Sequence, residues 1–238
     1  MCFVAGSVGY FLNMICGFGA GIFSMMFLPY VMESTGHAAT LVNILSLLQG
    51  VWVCWIYRKK VRWRRIVLSL AAYLVISTLT VYFAKGLSNN IMKLLLGALL
   101  FGLSVYFLGL KQHLTIRPTK TNALTAGAIG GIMSAMFSIG GPPMSLYYSS
   151  VFDDKEEYLG TIQTYFMFTN TYILFLRYRS GLMTPEVFRL SAIATAGMIL
   201  GTWAGKKVFD RIPAETVRKT IYIMMAVSGI VMIAETIF

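Results

Sequence analysis

Acidic residues are scarce in this chain, and none of them stands inside an apolar run. The nine carboxylates (Glu33, Asp153, Asp154, Glu156, Glu157, Glu186, Asp210, Glu215 and Glu235) fall between the runs or at their ends. Cation carriers and proton-driven pumps keep acidic side chains within the bilayer, so a cation held here would have no counter-charge. Histidine is limited to His37 and His113, isolated from each other, and no Cys/His cluster has metal-ligand spacing, so no metal or other cofactor is expected. The three cysteines, Cys2, Cys16 and Cys54, cannot form a paired framework and read as small apolar residues. No nucleophile–base pair stands out either, which argues against an enzyme.

Hydrophobic residues are abundant by contrast. They make up 57% of 238 residues, only 12% are charged, and mean hydropathy is +0.71. This composition excludes an ordinary soluble domain and leaves room for about eight apolar segments of roughly 20 residues. The net charge of +11 raises the question of nucleic acid. The basic residues lie in short loops between apolar runs, as cytoplasmic loops of membrane proteins do. No contiguous soluble basic surface is left for a duplex, so nucleic acid is excluded as a partner. The first run has no preceding Lys or Arg and no small-residue cleavage site, which predicts a retained membrane segment.

Two of the runs are interrupted. Phe3–Met32 contains Gly17-Phe18-Gly19-Ala20-Gly21, and Leu124–Val151 contains Ser138-Ile139-Gly140-Gly141-Pro142-Pro143. Glycine relaxes the backbone and proline removes donors, so neither stretch continues a helix unbroken. Unwound backbone at membrane depth is tolerated only inside protein or beside a cavity. Paired interruptions in two halves of a chain point to a transporter's substrate site. The remaining apolar segments are Ala38–Tyr57, Ile66–Ala84, Ile91–Leu110, Leu159–Leu176, Val187–Gly205 and Val217–Ile237. The count is four and four. Three parts of one membrane domain follow: a first repeat over 1–112, a linker over 113–122 and a second repeat over 123–238.

A sparse repeat with an offset of 121 supports that division. Gly6, Gly9, Gly19 and Thr40 fall on Gly127, Gly130, Gly140 and Thr161, and Tyr57-Arg58 falls on Tyr178-Arg179; the register slips near Lys85. If each broken segment folds back as a hairpin, each half crosses three times and the halves are inverted. A single helix over Phe3–Met32 would be about 45 Å long, more than a hydrocarbon core of about 30 Å. Charge agrees. With the loop Arg58–Arg65 inside, the inverted arrangement puts 15 of the 20 Lys and Arg inside, against 12 for parallel halves. The expected fold is an all-α polytopic membrane protein of two inverted repeats, each opening with a broken or re-entrant segment.

An anion can be held without side-chain charge. Half-helix N-termini aim unpaired N–H groups and a partial positive charge at it. Segments starting near Gly21 and Pro143 would supply two such ends. The following segments add polar side chains at helical spacing: Thr40, Asn43, Ser46 and Gln49 in the first half, Thr161, Thr164 and Asn170 with Gln163 nearby in the second. Hydroxyl and amide donors suit an oxyanion; hydrogen bonding between helices is the alternative use of the same residues. Gly97, Gly102, Gly109, Gly197, Gly201 and Gly205 read as helix-packing glycines. Gly17-Phe18-Gly19 lacks the Lys-Ser/Thr of a phosphate loop and the strand–helix context of a dinucleotide turn.

The Gly-Phe-Gly-Ala-Gly stretch, the sequence Gly130-Gly131 … Ser138-Ile139-Gly140-Gly141-Pro142-Pro143 and the basic turn Tyr57–Arg65 resemble the TauE/SafE family of membrane permeases over nearly the whole chain. The resemblance implies secondary transport, usually outward, of small sulfur-containing anions: sulfite, sulfoacetate and other sulfonates. It carries the family's glycine-rich turns onto Gly17, Gly19, Gly21, Gly140 and Gly141, with Pro142 where a third glycine is typical. The expected substrate-binding set is Gly17, Gly19, Gly21, Ser138, Gly140, Gly141, Pro142, Pro143, Asn43, Gln49, Thr161, Thr164 and Asn170. Cys16, beside the first turn, has contact with a sulfur-containing substrate as its second option. The expected partners are a small anion and the lipid bilayer, and the expected location is the bacterial plasma (inner) membrane. A non-transporting membrane assembly subunit is the alternative.

Overall fold

A computed structural model describes residues 2–84, 86–110, 117–208 and 214–237, without the side chains of Cys16, Leu110 and 214–221. His113 and most of the linker therefore lie outside the described residues, as does the side chain of Cys16. The described residues form helices α1 (Cys2–Cys16), α2 (Ala20–Phe27), α3 (Thr35–Tyr57), α4 (Trp63–Ala84), α5 (Asn89–Val105), α6 (Lys120–Phe137), α7 (Gly141–Ser149), α8 (Lys155–Arg179), α9 (Pro185–Val208) and α10 (Ala214–Ile237), with no strand among them. Four stretches are long and apolar enough to cross a membrane: Thr35–Lys60, Trp63–Ala84, Asn89–Gly109 and Pro185–Val208. The bundle's perimeter is apolar, with Val67, Val75, Phe83, Ile193 and Leu200 each about half exposed or more. Such a belt suits lipid rather than water. Trp55, Trp63 and Trp203 are exposed at the end of the bundle that carries the basic loop. There the Arg58 guanidinium sits 4.3 Å from the Trp55 ring centre and the Lys207 ammonium 3.6 Å from that of Trp203.

Most loop-side helices begin on a capping side chain. The Ser34 hydroxyl accepts from His37 N–H at the start of α3, Ser88 from Ile91 N–H at α5, Thr119 from Asn122 N–H at α6 and the Asp154 carboxylate from Glu156 N–H at α8. Two helices differ. α2 starts at Gly19 and α7 at Gly140, and neither has a side-chain cap.

Helices pair closely: α1 with α9, α6 with α4, α5 with α10 and α3 with α8. Small residues permit the approach. A Cβ at Gly6 would lie 2.4 Å from Ala194 O, and one at Gly127 2.2 Å from Ser69 O. Gly197, Gly201 and Gly205 meet α1 and Gly97 meets Gly229, as helix-packing glycines do; Gly102 and Gly109 meet nothing within 4 Å and pack no neighbouring helix among the described residues. α3 and α8 run antiparallel. The Arg177 guanidinium at the end of α8 donates to Gly36 O at the start of α3, whereas Arg62 N–H, just beyond α3, donates to Thr161 Oγ1 near the start of α8.

Both interrupted segments double back. α2 folds against α1, with Gly9 on Ala20 and Ser24, and α7 folds against α6, with Gly130 on Gly140 and Met144. The breaks are shorter than the sequence suggests. α2 resumes at Ala20, so Gly21 is helical, and α7 resumes at Gly141 with both prolines in its first turn. Proline is tolerated there because first-turn N–H groups have no intrahelical acceptor. The two halves are also alike in their bounds. α7 starts 121 positions after α2, the offset at which the two glycine-containing breaks lie in the sequence.

Candidate substrate site

The two breaks meet in the interior. A Cβ on Gly21 would lie 2.2 Å from Ser138 O, and one on Gly141 would lie 2.8 Å from Phe18 Cβ. Glycine at these positions lets one break touch the other. Between them is a cavity of about 40 Å³. On a measure in which one water needs about 10–15 Å³, this is room for about three waters. Gly19, Ala20, Gly21 and Ile22 line one side and Ser138, Ile139, Gly141 and Pro142 another. Asn13, Phe18, Ser46, Gln163, Phe166 and Asn170 complete it.

This wall carries no charged side chain. Its polar character comes from backbone and amides. The first-turn N–H groups of α2 have no intrahelical acceptor, and Ala20, Gly21 and Ile22 all line the cavity. The first helical bond there runs from Phe23 N–H to Gly19 O at 2.9 Å. α7 contributes less, because Pro142 and Pro143 have no N–H. Asn43 Nδ2 donates to Asn170 Oδ1 at 2.8 Å, so Asn170 keeps its NH₂ end for other partners. Asn13 donates to Gln49 Oε1, and Gln49 Nε2 donates to Tyr10 O at 3.1 Å and Thr202 Oγ1 at 2.9 Å.

Of the residues expected from sequence, Gly19, Gly21, Ser138, Gly141, Pro142 and Asn170 therefore come together on one cavity. Gly17 stands just behind it, its carbonyl accepting from Gln163 Nε2 at 3.5 Å. Gly140 is the N-cap of α7, and Asn43 and Gln49 stand one bond behind the lining through Asn170 and Asn13. The other three lie elsewhere. Pro143 also faces an apolar groove beside Tyr106 and Leu146. Thr164 donates to Gly160 O at 2.7 Å and to Cys54 Sγ at 3.2 Å, and Thr161 serves Arg62 N–H near the basic loop.

Sequence reasoning left out Asn13, Phe18 and Phe166 as lining residues, and counted Arg177 only among the five Lys and Arg outside the membrane. Asn13 had a signal, being an amide inside an apolar run four positions before Gly17. Arg177 had none, since it stands beside a loop.

The family description "Sulfite exporter TauE/SafE" matches residues 2–232. The chain belongs to the sulfite exporter TauE/SafE family. Membership, with the four long apolar helices, makes it an integral, multi-pass membrane protein of a transporter family, in which a small anion and membrane lipid are the partners. Searches of characterised proteins and of solved structures return no significant match.

Proposed function

We propose that this TauE/SafE member is a secondary transporter that carries a small oxyanion, sulfite or a compact sulfonate, through the cavity between the two breaks. One observation carries the reading: α2 and α7 both start on a glycine with no side-chain cap, and those two starts meet at a charge-free cavity. α3, α5, α6 and α8 instead begin on a Ser, Thr or Asp whose side chain caps the first turn. An anion can act as the missing cap. The anion accepts from Ala20, Gly21 and Ile22 N–H on one side and Gly141 N–H on the other, with the Asn170 amide as a further donor. The small cavity favours the smallest oxyanions over taurine or sulfoacetate.

The architecture supports alternating access. At 1.5 Å per residue α1 spans roughly 22 Å and α2 roughly 12 Å, each short of a core of about 30 Å. The first pair therefore reads as a re-entrant hairpin, and α7, at roughly 14 Å, is likewise too short to cross alone. Helices 121 positions apart make equivalent pairings, α1–α9 with α6–α4, and α3 lies antiparallel to its counterpart α8. Equivalent elements running in opposite directions are what inverted repeats require. The repeats are 1–112 and 123–238, joined by 113–122, in a plasma membrane with the Arg58–Arg65 loop inside. Rocking one half on the other then opens the site to each side in turn.

Flux of radiolabelled sulfite into proteoliposomes, competed in turn by sulfoacetate, taurine, sulfate and chloride, tests this. Saturable flux insensitive to chloride is expected. Folded, inserted protein with no flux above empty liposomes would overturn it and favour a partner-dependent subunit.

A further inference from the structure

Arg177 is the one charged side chain that is fully buried among the described residues, at 1% exposure. It has no carboxylate partner among them. Its guanidinium donates only to neutral groups: Gly36 O at 3.0 Å, Thr40 Oγ1 at 3.4 Å, Ser134 O at 3.4 Å and Ala135 O at 2.9 Å. Nε–H is buried without a partner. Carbonyl oxygens satisfy N–H groups but leave the net charge in place, and a buried charge is costly unless it is paired. The last carbonyls of α6 offset it in part.

The same side chain lines a second cavity, of about 260 Å³, at the end of the bundle opposite the basic loop. Ser34, Asn89 and Ser180 give it polar edges, Val81, Ala84 and Leu182 give apolar ones, and no carboxylate lines it. The start of α3, with its partial positive charge, is in the same wall. Ala135 and Met136, also in the wall, belong to the last turn of α6 before the second break, and Ser138 Oγ donates to Ala39 O at 2.7 Å. The pocket and the central cavity are thus neighbours on one stretch of backbone.

We infer that this pocket is a second oxyanion site, in which Arg177 binds the substrate class of the central cavity before or after it passes the breaks. The inference rests on the anion reading above. The larger volume admits an anion with part of its hydration shell, and the smaller central cavity takes it stripped of water. A full positive charge here offsets dehydration where no other fixed charge lines the pocket among the described residues.

Asn89→Asp tests the site without cutting Arg177's bonds. Asn89 Oδ1 accepts from Thr35 N–H and Oγ1, both at 3.0 Å. Aspartate keeps both bonds, sits favourably in the first turn of α5, and sets a fixed negative charge in the pocket wall. Arg177→Lys keeps the charge and loses the fork. Equilibrium dialysis of radiolabelled sulfite would be run on delipidated protein in a sugar detergent, with circular dichroism as the check of folding. Wild type is expected to bind two sulfites per chain. In Asn89→Asp the second site should weaken by about tenfold or more, as a like charge in the wall requires, and in Arg177→Lys by several-fold. One sulfite per chain, lost in Asn89→Asp, would support this pocket and overturn the central cavity. One sulfite per chain, unchanged in both variants, would overturn this inference and leave the central reading standing. No binding would overturn both. If added anionic phospholipid displaces the second sulfite, the pocket belongs to a lipid headgroup, and the inference fails in that form.

Discussion

The two breaks solve one geometrical problem with different residues. Both end a helix with a left-handed residue at equivalent positions: Gly17, with φ of 77°, and Ser138, with φ of 59°. In each the N–H of that residue reaches back four positions, Gly17 to Asn13 O and Ser138 to Ser134 O. Glycine takes this conformation freely, whereas a side chain costs about 1–2 kcal/mol there. Ser138 recovers part of that cost through its bond to Ala39 O. The next helix then starts differently. Gly21 and Ile22 of α2 stand where α7 has Pro142 and Pro143. One break keeps its N–H donors and the other gives up two of them for a fixed backbone. In the proposed transporter the first break is the better anion holder, and the second is the stiffer wall.

Blocking the contact between breaks should have the largest effect. Gly21→Ala drives a methyl onto the Ser138 carbonyl, which is backbone and cannot give way locally. Sulfite flux should fall by about 5- to 150-fold, the range that an overpacking cost of about 1–3 kcal/mol at the site corresponds to. Gly141→Val should do the same through Phe18. Normal flux in either, from inserted protein, would break the account of the site.

The left-handed positions come next. Gly17→Ala adds backbone strain and a collision with Tyr158 at 2.7 Å, and should lower thermal stability in detergent by about 1–3 kcal/mol. Ser138→Gly removes strain and one hydrogen bond together and should change stability by less than about 1 kcal/mol. Equal losses in the two variants would contradict the comparison.

Donor number sharpens it further. Pro142→Ala restores an N–H beside the cavity and should lower the KM for sulfite by roughly two- to tenfold, the value of one such bond. Ile22→Pro should raise it by a similar factor. The smallest effect belongs to the exposed ion pairs of the basic loop, Lys60 with Asp154 at 3.5 Å and Glu156 at 3.4 Å. Lys60→Ala should shift the thermal unfolding midpoint little at low ionic strength and less at high salt, as unfolding at two ionic strengths would report.

Much of this was legible in the sequence because glycine and proline interrupt apolar runs visibly. The two breaks and the basic turn could both be read there. The tips of the breaks were placed slightly too far along, because proline marks the first turn of a helix as readily as its interruption. Contacts between distant segments could not be read. Helical spacing put Thr161 and Thr164 on a stripe with Asn170, yet Thr161 serves the Arg62 backbone and Thr164 turns to Gly160 and Cys54. Arg177 looked like a loop cation of the membrane surface. Its burial depends on α3 and α6 closing over it, which no local pattern records.

The central claim is that the uncapped start of α2 grips an oxyanion. Amide ¹H–¹⁵N shifts during a sulfite titration of the labelled, flux-competent protein test it most directly. The account predicts saturable downfield proton shifts at Ala20, Gly21 and Ile22, a smaller one at Gly141, and no such response to chloride. Saturable binding that leaves those four amides unmoved would contradict it.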